Sequence, residues 1–171
     1  MSIPKVREAI EQLSATLAAD PTKARAKNVP ATARLTDGLR CELSGPYNER
    51  LVTDMAPAMG GTASGPNPGW LLRGALASCT ATVIAMRAAK LGVVLSSLQV
   101  TVETDSDLRG ILGLDDNVSA GHGPVRMKVE IGAPTASPEV LREIVTWADR
   151  HSPVTCTMRQ APECSLEIRV V

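Results

Sequence analysis

A chain of 171 residues is long enough for one domain with a buried core. Lys+Arg and Asp+Glu both number 18, which leaves no basic excess to attract nucleic acid, and 2 Trp, 1 Tyr and no Phe leave too few rings to stack bases. With 44% hydrophobic residues and so few aromatics, the core must be built from Leu, Val, Ile, Ala and Met.

Residues 1–25 are polar and charged, with no apolar run behind the first basic residues, so they read neither as a signal peptide nor as a membrane span. Ile3, Val6, Ile10, Leu13 and Leu17 recur at spacings of three and four, which predicts an amphipathic helix over 3–18 that forms an N-terminal extension to a single domain over 26–171. Residues 30–36 and 39–45 flank Asp37-Gly38, a hairpin signal, and a third strand is expected over 49–55. A Gly- and Pro-rich passage, 60–69, leads into an apolar helix from Pro68 to Leu91, with Asn67 as N-cap, Pro68 at its first position and Gly92 beyond its end. Arg73, Arg87 and Lys90 interrupt its apolar surface, so it reads as a buried helix rather than a membrane one. Apolar or small residues surround nearly its whole circumference, which places it at the centre of a structure.

Strands follow at 98–104 and 125–131, separated by a polar, glycine-rich loop over 105–123 that holds a short helical turn and a solvent-exposed His122. Ser137-Pro138 opens a further helix, and Cys164, Leu166, Ile168 and Val170 alternate as a last strand over 164–171. The order predicts an α+β fold with helices set against antiparallel sheet. The four cysteines, Cys41, Cys79, Cys156 and Cys164, form no CxxC pair and are joined by only His122 and His151. Neither a metal nor another cofactor is expected, and in a cytoplasmic protein with no membrane partner all four are thiols.

Two segments together resemble the family of osmotically inducible protein C (OsmC) and the organic hydroperoxide resistance (Ohr) proteins. The first is Gly60-Gly61-x-x-x-Gly65-Pro66-Asn67-Pro68 followed by Leu71-Leu72-x-x-Ala75-Leu76-Ala77-Ser78-Cys79-Thr80. The second, Ala148-Asp149-Arg150-His151-Ser152-Pro153-Val154, resembles the family's Cys-Pro-Val passage. The resemblance runs from about residue 30 to the C-terminus. It implies an OsmC-like fold in which antiparallel sheets wrap around two long central helices of an intertwined homodimer, with active sites at the subunit interface.

It also implies that Cys79 attacks a peroxide. Without it, Cys79 is one more small buried hydrophobe. A free thiol, near about 8.5, is mostly protonated at neutral pH, and three turns into a helix the N-terminal dipole has faded, so a cation must stabilise the thiolate. In relatives an arginine of the N-terminal strands serves; Arg40 is the best positional match and Arg34 the next. The carboxylate that orients it in the family is replaced by Gly69 and Trp70, and Glu42, Glu49 and Asp54 are open as substitutes. Ser152 stands at the resolving-cysteine position, where Ser152-Pro153 reads as a helix cap; Cys156, one turn on, resolves the sulfenic acid or an external thiol reductant does. Trp70 and Met59 are candidates for an apolar substrate mouth, with Met55 and Met86; Cys41 and Cys164 read as packing residues and His151 as helix-end packing. Two functions follow: a thiol-dependent peroxidase for organic hydroperoxides in oxidative stress defence, or a binding protein of the same fold that has lost the redox cycle.

Overall fold

The computed structural model describes the backbone of residues 3–171 and the side chains from Pro4 onward. Elements follow the expected order as far as α4: α1 (Ile3–Ala19), β1 (Thr32–Asp37), β2 (Arg40–Ser44), β3 (Arg50–Thr53), α2 (Pro68–Lys90), β4 (Ser97–Thr104), α3 (Leu108–Ile111), β5 (Val125–Gly132) and α4 (Pro138–His151), followed by α5 (Pro153–Arg159). They fall into two compact units, one holding residues 8–75 and 102–127, the other the start of α1, 76–101 and 128–171.

In the first unit β1, β2 and β3 form a three-stranded antiparallel sheet in that order. Asp37 pairs with Arg40, so the turn residues are Gly38 and Leu39, one position later than the Asp37-Gly38 signal suggests. Gly38 has φ +51°, the left-handed conformation a two-residue hairpin needs at its first central position. Every residue of β1 is exposed. The loop 105–123 is held by ion pairs rather than by a core: Arg126 reaches Asp105 (2.7 Å) and Asp107 accepts from the Arg109 backbone N–H (3.0 Å) to cap α3. The Arg126 guanidinium holds the Asp105 carboxyl below its ordinary value. His122, expected in solvent, is half-buried, with its Nδ1 2.7 Å from Ser106 Oγ and its ring against Gly69. A Cβ on Gly69 would lie 2.9 Å from that ring and would push it aside.

The second unit has the core. Ile84 and Ala88 of α2 meet Ile144 and Ala148 of α4, and Leu98, Val100, Val129 and Ile131 from β4 and β5 pack against them. The half-buried positions of β4 are its even-numbered residues, the alternation that turns one strand face inward. Alanines at 88 and 148 let the two helices approach closely, and Arg87 ties them at the surface, with Nη2 2.6 Å from Glu143 Oε1 and its guanidinium 4.9 Å from the Trp147 ring centre. α2 ends as its sequence dictates: Gly92 at φ +72°, with the Val93 N–H donating to Ala88 O (2.9 Å) and the Gly92 N–H to Ala89 O (3.0 Å). Ile144 is fully buried, so Ile144→Ala should cost about 2–5 kcal/mol, seen as a lower urea midpoint at unchanged slope.

One expectation concerns more than a single chain, and another needs correction. α2 is long and apolar enough to cross a membrane by length and composition, but within this chain it is not enclosed all round. Leu76, Thr80, Ile84, Ala88 and Ala89 are buried along one stripe, while Thr82, Ala85 and Met86 on other faces are exposed. The strand expected over 164–171 does not form: among the described residues, 160–171 enter no helix or strand, and Leu166, Ile168 and Val170 are 85%, 76% and 91% exposed. Alternation alone makes no strand, because its backbone N–H and C=O groups need a neighbouring strand to bond. Cys164, expected to pack on that strand, is exposed with it.

Candidate active site

The helix carrying Cys79 starts where the sequence says it should. Asn67 Oδ1 accepts the Trp70 N–H (2.8 Å), and Pro68 has no N–H to leave unsatisfied. Cys79 lies about three turns further along and is half-buried, next to the buried Thr80. Its partner comes from the junction of α4 and α5. Pro153 forbids α4 from continuing, so the single extended residue Ser152 (φ −75°, ψ 114°) separates the two helices.

Ser152 is fully buried, and its hydroxyl does not cap α5 as its position suggests. It donates to Cys79 Sγ at 3.3 Å instead. Thr155, one turn into α5, donates to Ser152 Oγ (3.0 Å), and Thr80 lies 3.3 Å from Thr155 Oγ1 and 3.5 Å from Ser152 Oγ. The residue at the resolving position therefore does meet Cys79, through a hydroxyl rather than a thiol. Cys156 is half-buried on α5, with its thiol donating to Arg150 O (3.3 Å) at the end of α4. His151 packs on the helix end as expected, its ring stacked on Trp147 at 3.9 Å and its Nδ1 2.7 Å from Trp147 O.

In the other unit, Arg40 stands on β2 with its Nη1 donating to Glu42 Oε1 (3.1 Å) and to Thr36 Oγ1 (3.0 Å). Of the three carboxylates open to replace the family's glutamate, Glu42 is thus the one that holds Arg40. Glu49 accepts the Tyr47 N–H (2.8 Å) and serves its own turn. Arg34, the second candidate, is exposed on β1 opposite Glu42. Trp70 is 54% exposed on the first turn of α2, with its ring over Gly74, and Met59 is half-buried at the end of a short 3-10 turn over 57–59. Cys41 is half-buried on β2.

Asp54 does different work. It is 2% exposed and gathers the glycine-rich passage around its carboxylate: the N–H of Met55 (2.7 Å), the N–H and hydroxyl of Thr62 (3.0 and 2.7 Å), and the N–H and hydroxyl of Ser64 (3.1 and 3.0 Å). These donors, the Thr62 hydroxyl foremost, hold the Asp54 carboxyl far below the ordinary carboxylate range. The motif glycines are explained by the same wrapping, since a Cβ on Gly61 would collide with Met55 O and one on Gly65 would lie 2.5 Å from Val52 O. Sequence reading missed this role, and also missed Thr80 and Thr155; the only local signals were Thr62 and Ser64 inside the glycine run and the Ser152-x-x-Thr155 spacing.

A family model described as OsmC-like protein matches residues 61–167, more than half of the chain. Among solved structures, an OsmC-like protein from Mycoplasma pneumoniae superposes with a TM-score of 0.68 at 18% identity, covering 80% of this chain and 91% of that one. An organic hydroperoxide resistance protein from Legionella pneumophila gives 0.58 at 15% identity, covering 79% and 91%, and OhrB of Bacillus subtilis gives 0.52 at 18%, covering 79% and 93%. No curated protein matches the sequence. At these identities the likeness to solved structures speaks for the fold alone. The matched span includes both the Cys79 motif and the Ser152 passage, and the chain belongs to the OsmC-like protein family.

Proposed function

We propose that this protein is a cytoplasmic thiol-dependent peroxidase that reduces organic hydroperoxides at Cys79 in oxidative stress defence. The observation that carries the reading is that the Cys79 sulfur, in the family's motif, accepts a hydrogen bond from the buried Ser152 hydroxyl. Structural neighbours named for organic hydroperoxide resistance support it.

The thiolate attacks the distal oxygen of ROOH. The O–O bond breaks, the alkoxide takes a proton and leaves as alcohol, and Cys79 becomes a sulfenic acid. The family resemblance implies an arginine that supplies positive charge to the sulfur and the peroxide, and Arg40, held by Glu42, is the candidate for that role. A small external thiol then condenses with the sulfenic acid, losing water, and a second thiol releases Cys79 as the free thiol. Cys156 is the internal alternative, and it must first leave Arg150 O to reach the oxidised sulfur. Trp70 and Met59 are the candidates for apolar surface toward the organic part of the substrate.

We assign the working form as a homodimer. Among the described residues, the exposed Leu166, Ile168 and Val170 of the tail and the open edge of β1 have no covering element, which supports a second copy as the cover.

With dithiothreitol as reductant, the purified protein should consume cumene hydroperoxide at least about tenfold faster than hydrogen peroxide, because an apolar mouth binds the aryl group. Equal rates would remove the substrate class, and no consumption of either would remove the peroxidase. Ser152 at the resolving position favours the second reading, a ligand-binding protein of the OsmC-like fold without a redox cycle, and that outcome would select it.

A further inference from the structure

The three hydroxyls behind Cys79 have one proton each, and the geometry fixes where each goes. Ser152 gives its proton to Cys79 Sγ (3.3 Å), so its oxygen is left only to accept. Thr155 donates to that oxygen at 3.0 Å, which spends the Thr155 proton. In the 3.3 Å contact between Thr80 and Thr155, either oxygen could donate by position; with Thr155 committed, Thr80 is the donor. The longer Thr80 to Ser152 contact, 3.5 Å, draws on the same single proton, and either acceptor directs it toward Ser152.

We propose that Thr80, Thr155 and Ser152 form a one-way hydroxyl chain that tunes the reactivity of Cys79. Ser152 acts on the sulfur itself, while Thr155 and Thr80 are positioning residues behind it. This rests on the peroxidase reading of Cys79 and adds the device that replaces part of what the family's resolving cysteine would occupy.

Three features set the chain apart from ordinary packing. Ser152, Thr80 and Thr155 are 0%, 1% and 6% exposed, so no bulk water competes for their protons. Donors aligned in one direction polarise one another, and the last bond is the strongest when its acceptor is an anion. The chain ends on the Cys79 sulfur, so its last donor acts directly on the reacting atom. After the attack, the Ser152 O–H remains beside the oxidised sulfur and can donate to the sulfenate oxygen. No thiol stands at 152 to condense with it, so the sulfenic acid stays available for an external thiol.

The test reads the sulfur directly rather than through turnover. Monobromobimane alkylation of Cys79 is followed by peptide mass spectrometry from neutral to alkaline pH, and the readout is the rate at pH 7 as a fraction of the alkaline plateau. Ser152→Ala should lower that fraction about tenfold, the effect expected of losing one hydrogen bond to a charged group. Thr155→Val, which keeps the shape and loses the donor, should lower it by about twofold to threefold, and Thr80→Val by less. A mere packing role would change stability without changing this ratio. The proposal is overturned if Ser152→Ala melts like the parent and keeps the parent's ratio, or if the order of effects along the chain is reversed. If Ser152→Ala does not fold, Thr155→Val decides alone, and an unchanged ratio there overturns it. A protein that shows the graded loss yet consumes no hydroperoxide retains the chain and loses the peroxidase reading, so the two fail separately.

Discussion

Cys79→Ser is expected to abolish hydroperoxide consumption, by at least about a thousandfold, while leaving the fold intact. An alcohol is almost wholly protonated at neutral pH and is a poor nucleophile toward peroxide oxygen, so no other group at this position can perform the displacement. The volume change is small, and the Ser152 hydroxyl would still find an oxygen acceptor in place of sulfur. The measurement is consumption of cumene hydroperoxide under excess dithiothreitol, with far-UV circular dichroism as the control for folding. Parent-like turnover in this variant would move the chemistry to another cysteine. In the parent chain, one equivalent of hydroperoxide should add the mass of one oxygen to the Cys79 peptide and render it reactive to dimedone. If Cys156 resolves, that oxygen is lost again and a Cys79–Cys156 disulfide takes its place; Cys156→Ser would then trap the sulfenic acid.

Asp54→Ala should be the most damaging change away from Cys79. Its carboxylate accepts from five donors of Met55, Thr62 and Ser64, and its removal strands the backbone N–H groups that fold the passage into α2. A fall in melting temperature of about 10 °C is expected, with new proteolytic cleavage between residues 55 and 65. The pH dependence has a fixed sign. The native carboxyl titrates below its unfolded value of about 3.9, so its contribution to stability is fully present above that value and is lost as the pH falls below it. Asp54→Asn should therefore flatten the acid side of the stability profile and leave its slope near neutral pH unchanged. An acid limb that is the same in the parent and in Asp54→Asn, with no protease sensitivity in Asp54→Ala, would show that the loop folds without this carboxylate.

Much of the architecture was legible because it depends on local chemistry. Asn67, Pro68 and Gly92 set the ends of α2, Ser137 and Pro138 the start of α4, and alternation marked β4 and β5. These signals act within a few residues and need no knowledge of the rest of the chain. The strand expected over 164–171 failed for the opposite reason. Cys164, Leu166, Ile168 and Val170 carry the right pattern, but a strand is completed by a partner at a distance, and the described residues of the single chain give this segment none. Ser152 misled in a similar way: its sequence neighbours make it a cap, whereas two groups distant from or following it, Cys79 and Thr155, compete for its hydroxyl and win.

The sequence by itself determined the family motif, the element order as far as α4, the helix ends and the identity of Cys79 as the reactive candidate, because each is written in contiguous residues. Only the tertiary structure decided that Glu42 holds Arg40, that Asp54 gathers the glycine passage, and that Ser152 joins Thr80 and Thr155 in donating toward Cys79. Hydroxyls and carboxylates have many possible partners within reach of a sequence argument, and which one each takes depends on burial and on side-chain direction, set when segments as far apart as residues 79 and 152 are brought together.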